Sequence, residues 1–288
     1  MRLLCLHGYG TNANVLTNQL STFFSVADSS IEPVYIEGEV ECPKARGLGA
    51  FATGPFSCYY DNFAPESVKR AHEMITEVIE EDGPFDGILG FSQGASLAAA
   101  YLLQHEIDRP DTPPPFKFAM IFSSIISFTP DESCCREIVD HLSDKDVEQL
   151  AGFPDADFSA LPQDAKTLFQ TMAKALSAGV DGGFLHGHPD QEVFRRRDAA
   201  LIPRILHPEL IKQRIRVPTV HVVGKKDNPF MLEQSQLVYR LCQEGMAKWL
   251  EHSAGHDVPR NVAEAKEAVK AMEWAAKEGE EQSVLCRL

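Results

Sequence analysis

The chain has 288 residues, 44% of them hydrophobic and 24% charged, which is enough apolar content for one large core, and a single domain over 1–288 is expected. A net charge of -15 opposes phosphate backbones and anionic lipid surfaces, so neither nucleic acid nor membrane is expected as a partner. There is no run of eighteen apolar residues, the stretch 1–7 is too short for a signal peptide, and seven cysteines without regular spacing do not form a disulfide framework; a cytoplasmic protein with reduced thiols is expected.

In chain order, β-rich runs at 2–6, 31–36, 86–91, 118–123, 219–223 and 247–250 alternate with helical patterns at 15–24, 65–81, 92–105, 229–244 and 262–276. Such alternation predicts an α/β fold, a mostly parallel sheet of about six strands flanked by helices on both faces. The interval 128–206 breaks the rhythm. It carries helical pieces at 132–142 and 165–176 but no strand pattern, and reads as an inserted helical cap. Open α/β sheets bind ligands at the carboxyl ends of their strands, so this insertion is expected to overhang a pocket. The tail 280–288 is polar and is expected to be loose.

The first strand ends in His7-Gly8-Tyr9-Gly10, where the two glycines let backbone approach a ligand closely. The Tyr9 N–H is a candidate donor to an oxyanion, whereas His7 fits a loop-pinning role better than a catalytic one. The third strand runs into Gly90-Phe91-Ser92-Gln93-Gly94 and then an alanine-rich helix. This strand–turn–helix setting is the one a nucleophilic serine requires, because the tight turn excludes side chains two positions either side of Ser92. The Gln93 N–H is the second candidate oxyanion donor.

A nucleophilic serine needs a base and a group to orient that base. After the strand at 219–223 comes Asp227, and after the strand at 247–250 comes Ser253-Ala254-Gly255-His256-Asp257. Both side chains therefore belong to the sheet edge that carries Ser92, in the chain order serine, aspartate, histidine. Asp227 can also be read as a turn residue and His256 as a solvated loop residue, with Glu233 and His252 as the reserve acid and base.

The segments Leu4-Cys5-Leu6-His7-Gly8-Tyr9-Gly10, Phe85-Asp86-Gly87-Ile88-Leu89-Gly90-Phe91-Ser92-Gln93-Gly94-Ala95, Asp227 and Gly255-His256-Asp257-Val258-Pro259 together resemble the FSH family of serine hydrolases. That family lies within the α/β-hydrolase superfamily and includes fungal thioesterases and esterases of polyketide pathways. The resemblance implies a Ser92–Asp227–His256 triad, hydrolysis of an ester or thioester through an acyl-enzyme, and no cofactor. Two departures stand out: position 11 is Thr11 where many relatives carry glutamine, and the interval 128–206 is longer than in compact members.

Aromatic residues Phe51, Tyr59, Tyr60, Phe128 and Phe184 are the candidates to line a substrate pocket, while at least half of the phenylalanines within 128–206 should serve that interval's own core. Arg195, Arg196, Arg197, Arg204, Lys212, Arg214, Arg216, Lys225 and Lys226 concentrate positive charge against an acidic whole. They suggest a docking surface for an acyl carrier protein, the alternative being an ordinary solvated face. The substrate is then a small-molecule or carrier-bound acyl ester or thioester. Two other readings are weaker. Gly47-Leu48-Gly49-Ala50-Phe51-Ala52 fits a loose dinucleotide fingerprint, but no strand precedes it and no clear helix starts at its end. His186 and His188 could touch a metal, yet no Cys-x-x-Cys supports them and no metal is expected. A hydrolase fold that retains its pocket as a ligand receptor is the non-enzymatic alternative.

Overall fold

A computed structural model describes residues 1–49, 52–185, 191–198 and 200–285. The elements follow in the order β1 (Arg2–Leu6), α1 (Ala13–Gln19), α2 (Ser21–Ser25), β2 (Glu32–Ile36), β3 (Val40–Glu41), β4 (Ser57–Cys58), α3 (Pro65–Asp82), β5 (Gly87–Phe91), α4 (Gln93–Asp108) and β6 (Phe118–Phe122). The remainder comprises α5 (Arg136–Asp140), α6 (Asp144–Gln149), α7 (Gln163–Gly182), α8 (Gln191–Arg195), β7 (Thr219–Gly224), α9 (Pro229–Tyr239), β8 (Ala247–His252) and α10 (Val262–Leu285).

Six strands form one sheet in the order β2-β1-β5-β6-β7-β8, and all five pairings are parallel. The central strands β5, β6 and β7 are buried at every position, as strands covered on both faces must be. Alternation along each strand divides the core in two. Leu4, Leu6, Ile88, Ala119 and Ile121 pack under α3 and α4, whereas Leu3, Cys5, Leu89, Met120, Phe122 and Val222 pack against Phe23 of α2 and Ala268 and Met272 of α10. The chain thus has the α/β architecture its periodicity predicts, and β3 and β4 add a short antiparallel pair that the sequence pattern does not reveal.

Three helices differ from their expected spans. The run 15–24 is broken at Leu20, which ends α1 and begins α2, while Asn12 caps α1 by accepting a hydrogen bond from Val15 N–H at 2.9 Å. Helix α9 stops at Tyr239 because the chain then turns so that Cys242 can pair with Ile215. The expectation of a loose tail from 280 is corrected: α10 continues to Leu285, where Glu280 pairs with Lys117 and Gln282 reaches the Met246 sulfur. These contacts anchor a polar segment that composition alone would leave unanchored.

Between β6 and β7 the interval 128–206 contributes α5 to α8 and two short 3-10 turns, and no strand of the sheet among its described residues. Its two ends are tied together, Phe128 pairing with Ile205 and Thr129 N–H donating to the Arg204 carbonyl at 2.9 Å. Phe153, Phe169 and Phe194 meet inside it with ring centroids 4.9 and 5.7 Å apart, so these phenylalanines serve its own core. Among the described residues no helix is long and apolar enough to cross a membrane.

Candidate active site

Ser92 sits between the last residue of β5 and the first of α4 with φ 54° and ψ -113°, a backbone conformation that non-glycine residues rarely adopt. Two glycines make this turn sterically possible. A Cβ at Gly90 would lie 2.4 Å from the Gly94 carbonyl group, and one at Gly94 would lie 2.4 Å from the Leu6 oxygen. The start of α4 therefore rests directly on the end of β1, and the Ser92 N–H is held by the Phe122 carbonyl at 2.9 Å.

A second close approach brings the partners to Ser92. A Cβ on Gly224 would meet the Gly255 oxygen at 2.0 Å, so the end of β7 and the loop after β8 can touch only through a residue without a side chain. Lys225 and Lys226 N–H groups bond to the His252 and Ala254 carbonyls across this contact. The result places Asp227 Oδ2 2.8 Å from His256 Nδ1, and His256 Nε2 3.0 Å from Ser92 Oγ. A carboxylate can only accept, so Nδ1 carries the hydrogen and Nε2 is left as the acceptor facing the serine hydroxyl. The other Asp227 oxygen accepts the Asn228 N–H at 2.7 Å. Asp227 is buried while the His256 side chain is 34% exposed, so the ring has room to work beside a fixed acid.

The reserve groups have other partners. His252 Nε2 bonds to the Asp257 carbonyl and Nδ1 accepts from Ala254 N–H, with burial lowering its pKa, and Glu233 pairs with Lys174 at 2.9 Å.

Gln93 is the first residue of α4, whose leading N–H groups have no acceptor within the helix. Gly94 packs on the Leu6 and His7 carbonyls and Gly8 packs on Phe91 and Ser92, so the turn that carries the Tyr9 N–H adjoins the start of α4. That turn is braced from within. His7 donates from Nδ1 to the Gly8 carbonyl at 2.8 Å and accepts the Gly38 N–H on Nε2 at 3.0 Å, while Thr11 Oγ1 donates to the same Gly8 carbonyl at 2.6 Å. Burial lowers the His7 pKa, consistent with a neutral ring that pins the turn. The Gln93 side chain has a similar duty: Oε1 accepts from Tyr59 N–H at 3.0 Å and Nε2 donates to the Tyr60 carbonyl at 2.8 Å.

Ser92 and His256 open on a cavity of about 1060 Å³. Of the aromatic residues named from sequence, Tyr60, Phe128 and Phe184 line it. Tyr59 does not: it is buried, and its phenolic oxygen accepts the His7 N–H at 2.9 Å. Phe51 lies outside the described residues, as do Ala50 of the dinucleotide-like stretch and both His186 and His188. Gly47 and Gly49 lie in the loop that joins β3 to β4 rather than at a strand-to-helix turn of the kind a dinucleotide site needs, and both line the same cavity as Ser92. The wall also includes Phe63, stacked on Phe128 at 4.0 Å, and Phe230, Met231 and Gln234 from one face of α9. Sequence reading missed these; the spacing of 230, 231 and 234 marks a single helix face but not what that face meets. Arg46 donates to the Asp181 carbonyl and Phe184 packs edge-on against Tyr9 at 5.0 Å, joining the 128–206 interval to the β1 side of the cavity. Of the arginines named for docking, Arg204 is buried, Arg197 and Arg214 donate to nearby carbonyls, and Arg216 pairs with Glu106.

Residues 1–268 match the family model described as Serine hydrolase (FSH1). The chain is 43% identical over 283 residues to Esterase alnB of Emericella nidulans, covering 98% of this chain and 99% of that one. It is 34% identical over 265 residues to Hydrolase FUB4 of Gibberella moniliformis, covering 90% and 92% of the two chains. Among solved structures, a Bacillus cereus carboxylesterase matches with TM-score 0.47 and 14% identity, over 96% of this chain and 87% of that one. With 93% of its length inside one family model, the chain belongs to the FSH1 serine hydrolase family.

Proposed function

We propose that this serine hydrolase cleaves an ester or thioester of a bulky, largely apolar acyl group by transferring that group to Ser92 and then to water. The observation that carries the reading is the unbroken hydrogen-bonded chain from Asp227 through His256 to Ser92 at the mouth of a cavity of about 1060 Å³. In this reaction His256 takes the Ser92 proton as the hydroxyl attacks the carbonyl, and returns it to the leaving alcohol or thiol. The developing oxyanion is met by the Tyr9 and Gln93 N–H groups, and Asp227 holds the imidazole in its working tautomer. Water then repeats the sequence on the acyl-enzyme, with the same base. The cavity far exceeds the needs of an acetyl ester, and its lining by Phe63, Phe128, Phe230 and Met231 suits a long acyl or polyketide chain. The interval 128–206 acts as a cap on this cavity through Phe184, Leu185 and the α7 face containing Ala175, Ala178 and Gly179. Release or deacylation of such chains in secondary metabolism fits the kinship to fungal esterases and hydrolases. Delivery by a carrier protein would rely on basic groups other than Arg204, Arg214 and Arg216.

The test is covalent. A fluorophosphonate probe should label the folded protein at Ser92, and Ser92→Ala and His256→Ala should lose labelling while keeping the wild-type circular dichroism spectrum. A folded wild-type protein that resists the probe would sink the proposal. A series of p-nitrophenyl esters of two to twelve carbons should show kcat/KM rising with chain length.

A further inference from the structure

Gln234 is a polar residue in the wall of this cavity, alongside Phe128, Phe230, Met231 and Ile126. It is 1% exposed. Its Oε1 accepts the Ile126 N–H at 3.1 Å, and that backbone donor fixes the orientation of the amide, since the reverse orientation would set N–H against N–H. The Nε2 end is therefore fixed in orientation; it is buried within the cavity wall and has no hydrogen-bond partner. Neighbouring Ser235, by contrast, donates to the Ser124 carbonyl at 2.8 Å, so α9 is locked to the segment after β6 and Gln234 has little freedom to seek another acceptor. Buried donors are nearly always satisfied, and one left open beside a ligand cavity points to an acceptor brought by the ligand.

We propose that Gln234 Nε2 selects acyl chains carrying an oxygen acceptor, a keto or hydroxyl group borne along the chain, over plain hydrocarbon chains of equal length. The inference rests on the serine-hydrolase reading of the same cavity and specifies its substrate class. A neutral amide donor meeting a carbonyl or hydroxyl oxygen in an apolar wall stabilises the bound acyl group, whereas a hydrocarbon chain leaves the donor buried and unpaired. An ordered water on Nε2 would treat both chains alike, so selectivity distinguishes the two cases.

The experiment compares N-acetylcysteamine thioesters of octanoic acid with those of 3-oxo-, 5-oxo-, 7-oxo- and 7-hydroxyoctanoic acid. Wild type should favour at least one oxygenated member over octanoyl by about tenfold or more in kcat/KM. Gln234→Leu, which removes both amide groups, should erase that ratio mainly through the oxygenated substrate. Gln234→Met, of similar length and without a donor, should erase it as well. Retained fluorophosphonate labelling of Ser92 in both variants shows that the catalytic machinery is intact. Should wild type be labelled yet treat all five thioesters within a factor of two, or should both variants keep the wild-type ratio, this assignment fails while the hydrolase reading stands. Absence of labelling in wild type would instead remove the hydrolase reading itself.

Discussion

Asp227→Asn probes the part of the site where the geometry makes the sharpest demand. In the native arrangement one Asp227 oxygen accepts the Asn228 N–H at 2.7 Å and the other accepts His256 Nδ1–H at 2.8 Å. Asparagine supplies only one oxygen. If that oxygen stays with the Asn228 N–H, the new NH2 faces His256 Nδ1, which must then give up its hydrogen to Nε2. The hydrogen on Nε2 points at Ser92 Oγ, 3.0 Å away, and the base is lost. If the amide reverses, its NH2 collides with the Asn228 N–H, an arrangement costing about 1–3 kcal/mol for an unpaired buried donor. Either way the productive tautomer is disfavoured, and kcat on p-nitrophenyl octanoate should fall by about ten-thousandfold, or ~5.5 kcal/mol of transition-state stabilisation. Steady-state kinetics near neutral pH would be paired with a thermal melt to show that the near-isosteric variant folds. A well-folded Asp227→Asn enzyme within tenfold of wild type would refute the claim that this carboxylate governs the imidazole.

Gly94→Ala would push a Cβ to within 2.4 Å of the Leu6 oxygen, so probe labelling of Ser92 should fall at least a hundredfold in whatever protein folds; near-normal labelling would contradict the close contact between α4 and β1. Gln93→Leu would leave the Tyr59 N–H and the Tyr60 carbonyl unpaired, and should lower unfolding free energy by about 2 kcal/mol or more in urea titrations. Burial pushes His72 and His221 down to about 3, below the ordinary histidine value of about 6.5. The unfolded chain therefore takes up protons that the native state refuses, and this share of the stability, complete above about pH 6.5, is lost as the pH falls towards 3. Each ring contributes a slope of about 1.4 kcal/mol per pH unit in that window. Denaturant titrations between pH 6 and 4 should show a shallower slope for His221→Gln than for wild type, and equal slopes would exclude the buried ring as the cause.

The strands were legible because most are short apolar runs, β5, β6 and β7 being buried at every position, with helical patterns between them everywhere except across 128–206. Their order places Ser92, Asp227 and His256 beyond the carboxyl ends of β5, β7 and β8, since every strand of the sheet runs the same way. The short β3–β4 pair and the break at Leu20 were not legible, because a two-residue strand has no periodicity and a helix break within an unbroken pattern depends on packing. The same limit applies to the aromatics: Tyr59 and Tyr60 are adjacent, yet one holds the His7 backbone and the other faces the cavity.

What the amino-acid order determined by itself was the family of chemistry, through a serine between two glycines and an aspartate and histidine after later strands. Tertiary structure alone decided the distances and the pocket. Whether Gly224 touches Gly255, which face of α9 meets the segment after β6, and which amide nitrogen is left unpaired depend on contacts between residues far apart in the chain. Local periodicity encodes which way a side chain faces within its own element, but the identity of its neighbour is set only when separate elements pack together.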